Sequence, residues 1–189
     1  MNRIVETFEK AFATAKRKNW DRIYVAVDIH ETVLKPTWSK TLSHEYYEYA
    51  KETLQLLSQK KEICLILWSC SLPEFNQQYL DSFANDGINF DYVNENPECP
   101  STDYANFDLK LYFSVGLDDK FGFMPAEDWE ALYNYLSGKS SEEKELERLI
   151  GLLSMSYDAG KLLRPDIDSD HIDAKTWITN AAKSFLNIK

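Results

Sequence analysis

The sequence predicts an α/β protein: a Rossmann-like, doubly wound, mostly parallel sheet with helices on both faces, plus extra helices at both ends. Short, continuous apolar runs alternate along the chain with segments whose apolar residues fall at helical spacing. Apolar runs without polar alternation are typical of strands that are buried on both faces. Because helices or long connections separate these runs, right-handed crossovers would lay the strands parallel.

The first half of the chain predicts two helices and two strands. Apolar residues three and four positions apart define each helix, and Ser43 is suited to cap the second one. The two strands are short apolar runs that stop abruptly at Asp28 and at Ser69. The predicted elements are, in order, a helix over 3–18, a strand over 23–27, a helix over 43–59 and a strand over 63–68.

The second half predicts a helix that Pro73 opens, a weaker short strand and a third clear apolar run. These elements cover residues 73–85, 90–93 and 111–117, and two further helices are predicted over 141–158 and 172–187. We therefore expect residues 1–139 to form the α/β core with its N-terminal helix. Residues 140–189 are expected to form a helical extension that packs on the same core.

The composition indicates a soluble globular protein with one substantial core. Hydrophobic residues make up 44% of the 189 positions, and 31 acidic residues against 21 basic ones give a net charge of −10. The acidic excess lies in residues 21–139, which argues against nucleic acid or an anionic membrane surface as a partner. The chain has no apolar run of about 18 residues and no signal-peptide pattern, so we expect no membrane span and a cytoplasmic location.

Side chains that suit a metal ion and a phosphate stand at the ends of the predicted strands. Asp28, Ser69 and the pair Asp118 and Asp119 each follow an apolar run, and Lys110 comes just before the last run. In a parallel sheet these ends meet at one edge, where ligands bind. Carboxylates hold hard divalent cations, whereas a hydroxyl and an ammonium hold phosphoryl oxygens. Each residue alone is typical of a turn or a surface charge, but their order along the chain favours a joint site.

Segments around these residues resemble the motifs of the haloacid dehalogenase (HAD) superfamily of phosphohydrolases. The stretch DDKFGFMPAEDWEAL, from 118 to 132, is similar to the small members that lack a large cap domain. The resemblance covers residues 23–136. The other matching motifs are VAVDIHETVL over 25–34, CLILWS over 64–69, Lys110, and GLDD over 116–119.

The resemblance implies a role for each of these residues. Asp28 would be the nucleophile that becomes an aspartyl-phosphate. Ser69 and Lys110 would hold the phosphoryl group during its transfer. The metal would be Mg²⁺, with ligands from Asp28, the backbone carbonyl of His30, and Asp118 or Asp119.

Two positions depart from the family pattern. His30 stands where the family has a second acid, which protonates the leaving group and then activates water. An imidazole with a pKa of about 6.5 can exchange protons, but a nearby Mg²⁺ disfavours its protonated form. Glu31 stands where glycine usually permits the turn.

Two functions therefore follow from the sequence. The first is a Mg²⁺-dependent phosphatase acting on a phosphate monoester of a small molecule. The alternative is a catalytically impaired HAD-like domain that binds metal, phosphate or a partner. A protein partner and a homo-oligomer both stay open.

The spacing between the motifs leaves no room for a large cap domain, so we expect an open site with the loop at 94–107 on its rim. A response-regulator receiver domain uses similar groups, but it places its acid pair first and its lysine last. The acidic run from Asp166 to Asp173 lacks the glycine and glutamate of a calcium-binding loop.

Overall fold

A four-stranded, all-parallel sheet forms the centre of the protein, and its helices make this an α/β, Rossmann-like fold, as predicted. The structure is a computed structural model, and it describes residues 2–37 and 41–138. The strand order is β3-β2-β1-β4, so the chain moves outward from β1 in one direction and returns to pair β4 on its other side. The strands are β1 (Ile23–Val27), β2 (Ile63–Leu67), β3 (Tyr92–Val93) and β4 (Val115–Leu117).

Four helices accompany the sheet in the described part of the chain. The first begins with the Asn2 side chain accepting a hydrogen bond from the Ile4 amide, and it ends at Asn19 in a left-handed conformation. Proline occupies the first position of the third and fourth helices, where no amide proton is needed. The helices are α1 (Arg3–Lys18), α2 (Ala50–Ser58), α3 (Pro73–Asn85) and α4 (Pro125–Leu136).

One face of the sheet carries the main hydrophobic core. The odd-numbered residues of β1, β2 and β4 point to this face, because side chains alternate along a strand. All four helices contribute buried side chains to the same cluster. Its largest fully buried members include Trp129, Phe8 and Phe83.

The even-numbered face is covered, among the described residues, by the connection between β3 and β4. Tyr112 packs edge-on against Tyr24 of β1, and Phe113 packs against Trp68 just beyond β2. A Cβ atom at Gly116 would lie 3.1 Å from the Phe113 ring, so glycine lets this connection approach β4 closely. The 94–114 segment therefore forms a wall beside the ends of β2 and β3.

Two predicted boundaries are wrong by several residues, and the short strand β3 begins at Tyr92 rather than at Phe90. The second helix begins at Ala50 rather than at Ser43, because the Ser43 hydroxyl donates to the carbonyl of Lys35 instead of capping a helix. Residues 41–49 return antiparallel to the segment after β1, and Tyr49 (φ 62°) breaks the helical geometry. The last strand is confined to Val115–Leu117, because residues 111–113 turn their aromatic side chains onto the even-numbered face.

The sequence analysis did not predict helix α4, although Pro125 and the spacing of Trp129 and Leu132 could have indicated it. The helices predicted over 141–158 and 172–187, and with them the extension 140–189, lie outside the described residues. In the part that the structure describes, no helix is both long enough and apolar enough to cross a membrane.

The junction of α2 and α3 generates a prediction about pH. The Asp86 carboxylate receives hydrogen bonds from Lys51 and from the Tyr46 hydroxyl (2.8 Å), and the Lys51 contact holds its pKa below the usual value. A depressed folded-state pKa contributes stability above the unfolded value of about 4, and this contribution is lost as the pH falls further. We expect Asp86→Asn to lower the free energy of unfolding by about 1 kcal/mol at pH 7.

Denaturant titrations at pH 7 and at pH 3 test this expectation, with Asp81→Asn on the same helix as the control. The difference between wild type and Asp86→Asn should shrink at pH 3. A difference of the same size at both pH values would show that the charge on Asp86 is not its source.

Candidate metal and phosphoryl-transfer site

Three carboxylates meet at the carboxyl end of the sheet, where the strand order reverses. Val27 and Leu117 are paired across β1 and β4, so the residues that follow them, Asp28 and Asp118, leave the sheet side by side. One oxygen from each of Asp28, Asp118 and Asp119 lies within 4.8 Å of the others. This is the edge at which the sequence predicted a ligand site.

Thr32 links the two acidic segments. Its hydroxyl donates to Asp28 Oδ2 (3.1 Å) and accepts from the backbone amide of Asp119 (3.1 Å). The Thr32 side chain is completely buried, so neither hydrogen bond competes with water. One side chain therefore sets the separation between the end of β1 and the turn after β4.

Helix α4 holds the loop that carries Thr32. Trp129 is fully buried and its indole N–H donates to the carbonyl of Thr32 (2.8 Å). The Thr53 hydroxyl of α2 in turn donates to the Trp129 carbonyl (3.4 Å). Trp129 of the fourth motif segment thus positions the loop of the first motif, a contact that the sequence did not predict.

The environment of Asp28 disfavours its charge. Burial raises the pKa of its carboxyl group to about 6, the Ile29 amide and the Thr32 hydroxyl oppose the rise, and the nearby Asp118 and Asp119 carboxylates add to it. Asp118 is itself buried and accepts from the Lys120 amide (2.7 Å). Like charges this close at a low-dielectric edge are stabilised by a bound cation.

His30 points toward α3 and bonds to a tyrosine. Its Nε2 atom lies 2.8 Å from the Tyr79 hydroxyl, and that hydroxyl also accepts from the backbone amide of Ser43 (3.3 Å). Partial burial lowers the pKa of His30, although Glu31 opposes this shift. Glu31 adopts φ 58°, so the turn has the left-handed geometry that glycine adopts most readily.

Ser69 is held by an asparagine that the sequence analysis missed. The Asn94 side chain accepts from the Ser69 amide (2.8 Å) and donates to the Ser69 carbonyl (2.7 Å). The Ser69 hydroxyl accepts from the amide of Ser71 (3.1 Å) and keeps its own proton available for a ligand oxygen. Asn94 has φ 54°, a conformation that asparagine tolerates better than most residues and that could have marked it.

The lysine nearest the acids is Lys120 rather than Lys110. Lys120 forms an ion pair with Asp119 and lies 3.7 Å from Glu31. Lys110 is exposed, and its ammonium makes no ion pair with a carboxylate of residues 2–37 or 41–138. The structure therefore brings Asp28, Asp118 and Asp119 together but does not bring Lys110 into contact with them.

The donor set fits a magnesium ion. The three carboxylates supply hard oxygen ligands. Within the described part of the chain, no amide or side chain donates a hydrogen bond to the carbonyl oxygen of His30, which leaves that oxygen available as a fourth ligand. When bound, the ion would neutralise the acids and polarise a phosphoryl oxygen.

Comparisons with known proteins give one structural neighbour. No protein-family model matches the chain, and no curated protein matches it significantly. A solved structure of a conserved protein from Bacteroides thetaiotaomicron is 27% identical and superposes with a TM-score of 0.48. The match covers 64% of this chain and 93% of that one.

The position of Thr32 generates a prediction about cation binding. Thr32→Val keeps the shape of the side chain but removes both hydrogen bonds, which leaves the Asp119 amide unpaired. We expect a loss of about 1–3 kcal/mol in the free energy of unfolding. We also expect a weaker affinity for Mg²⁺, because the two acidic segments lose their common link.

Thr32→Ser, which keeps the hydroxyl, is the matched control and should bind Mg²⁺ nearly as wild type does. Calorimetric titration with Mg²⁺ and denaturant unfolding measure the two effects. Wild-type Mg²⁺ affinity in Thr32→Val would contradict the linking role of the hydroxyl.

Proposed function

We propose that this protein is a Mg²⁺-dependent phosphohydrolase that cleaves a phosphate monoester of a small molecule through an aspartyl-phosphate on Asp28. The observation that supports this proposal most is the cluster of Asp28, Asp118 and Asp119 at the reversal point of the sheet. A half-buried carboxylate with a raised pKa, held beside two other acids, is typical of a catalytic site rather than of a solvated surface.

The reaction has two displacements at phosphorus. In the first, an Asp28 oxygen forms a bond to phosphorus while the ester P–O bond breaks and the leaving oxygen takes up a proton. In the second, water attacks the same phosphorus, loses a proton and releases inorganic phosphate and free Asp28. Thr32 holds one Asp28 oxygen by a hydrogen bond, which orients the carboxylate for attack.

The remaining groups hold the phosphoryl group and exchange its protons. The Ser69 hydroxyl, set in place by Asn94, is the proposed donor to a phosphoryl oxygen. His30 is the proposed donor and acceptor of the proton, through the ring nitrogen that does not bond Tyr79. Lys110 stays a proposed phosphate ligand, which it could become only if its exposed side chain swings toward the strand ends.

Hydrolysis of 4-nitrophenyl phosphate tests this proposal. The wild-type protein should release nitrophenol with Mg²⁺ and lose this activity with excess chelator. Asp28→Asn should lower kcat/KM by about a thousandfold or more, because an amide cannot act as the nucleophile. Asp21→Asn, at the other end of the same strand, is the matched control and should leave the rate unchanged.

Acid quenching during turnover should trap one phosphate on the wild-type chain, detectable by mass and mapped to Asp28. Turnover that persists in Asp28→Asn would overturn the nucleophile.

A second candidate is a metal- and phosphate-binding domain without turnover. The hydrogen bond between His30 and Tyr79 supports this candidate. His30 stands where the resemblance places the second acid, and the bond occupies one of its two ring nitrogens. Mg²⁺ binding is common to both candidates and does not separate them.

Variants of His30 separate the two candidates. If the protein is a phosphatase, His30→Ala should lower kcat by about a hundredfold or more, the range of general acid–base catalysis. Tyr79→Phe, which removes only the hydroxyl, should change the pH profile and leave the nucleophile intact. An inactive wild type that gains Mg²⁺-dependent turnover in His30→Asp would instead establish the binding domain.

A further inference from the structure

A cavity of about 520 Å³ opens between the 94–100 and 107–111 segments, next to the end of β2. Trp68 and Asn94 belong to its lining, and both are tied directly to Ser69: Trp68 precedes it in the chain, and Asn94 clamps its backbone. A group bound in this cavity would therefore adjoin the residue that we propose holds the phosphoryl group. Its volume falls in the range of small-molecule sites.

Two aromatic side chains stand among the polar and apolar groups that line the cavity. Trp68 and Phe107 line it together with Leu111. The first belongs to the end of β2 and the others to the connection before β4, so two separate parts of the chain build these walls. Aromatic rings at a cavity wall attract both apolar groups and organic cations.

Carboxylates and side-chain amides are the main polar groups of the cavity. Asn96 is buried to more than nine-tenths, its amide nitrogen donates to the Tyr112 carbonyl (2.8 Å), and its Oδ1 has no donor within the described residues. Glu95 and Asp108 add two carboxylates. The Ser101 hydroxyl donates to Asp108 (3.1 Å), whereas Glu95 forms no ion pair in the part of the chain that the structure describes.

The charged side chains that line the cavity are therefore all negative. Among the described residues that line it none is basic, and Lys110, between two of them, is not part of the lining. A second phosphate or carboxylate on a ligand would meet the Glu95 and Asp108 carboxylates and be repelled. An ammonium group would be attracted by both carboxylates and by the rings of Trp68 and Phe107.

We propose that this cavity is the leaving-group site, and that the protein prefers phosphate monoesters whose alcohol carries a cationic amine. The substrate preference in this inference rests on the proposed phosphatase function. The affinity of the cavity for an amine does not depend on that function. The amine also offsets part of the unfavourable field that a chain of net charge −10 presents to a phosphate dianion.

A near-isosteric pair of esters tests the preference. 4-(Aminomethyl)phenyl phosphate and 4-ethylphenyl phosphate differ in one ammonium group that replaces a methyl group. We expect kcat/KM to favour the amine by about tenfold, the size of a partly desolvated cation–π and ion-pair contact. In the Glu95→Gln/Asp108→Asn double variant the ratio should fall toward one, while Glu130→Gln, which removes an exposed charge from α4, should keep it.

The two phenols without phosphate test the cavity independently of catalysis. In an NMR titration, 4-(aminomethyl)phenol should bind more tightly than 4-ethylphenol and should shift the side-chain amide signals of Asn96 and the indole signal of Trp68. If neither ester is hydrolysed but the phenols show this preference, the proposed function fails and the amine site stands. Equal binding of the two phenols, or an amine preference that survives the double variant, would overturn the inference.

Discussion

The cost of holding several carboxylates at the end of a buried sheet governs the rest of this site. Asp28 and Asp118 leave the sheet side by side because β1 and β4 are paired in register. The burial of Asp28 and, to a smaller extent, the nearby acidic carboxylates raise its pKa to about 6. Hydrogen-bond donors partly offset the repulsion between the carboxylates: the Thr32 hydroxyl donates to Asp28, and the Lys120 amide donates to Asp118. The three carboxylates are a donor set that suits a divalent cation.

Residues outside the acidic cluster fix the path of the loop after β1. Trp129 is buried under the loop after β1 and bonds the Thr32 carbonyl, so α4 fixes where the first motif turns. The turn itself places Glu31 in the left-handed region, at a cost of roughly 1 kcal/mol for a residue other than glycine. The chain accepts this strain because packing around Thr32 and Trp129 over-determines the path of the loop.

The two sides of the site differ in character. Toward β4, the acids and Lys120 form an ionic region that suits a metal and a phosphoryl group. Toward β3, the 94–114 segment presents aromatic rings, two carboxylates and the unpaired Asn96 Oδ1 on the side of Ser69. An open edge with these two halves is suited to a small ester whose phosphate and leaving group have opposite charges.

The sequence by itself determined the α/β class, the bounds of α1 and α3, and the three acids and one hydroxyl that follow the strands. These follow from local patterns: apolar runs predict buried strands, and a proline or an asparagine at a helix end predicts its boundary. It did not determine where α2 begins, because the bond from Ser43 to Lys35 competes with helix capping and is visible only when the two segments meet. Nor did it determine that Lys120 rather than Lys110 contacts the acids, or that Tyr79, Asn94 and Trp129 support the motif residues. The pairings of Tyr79, Asn94 and Trp129 join residues that are 25 to 97 positions apart, and only the packing of the helices and loops on the sheet brings them within hydrogen-bonding distance.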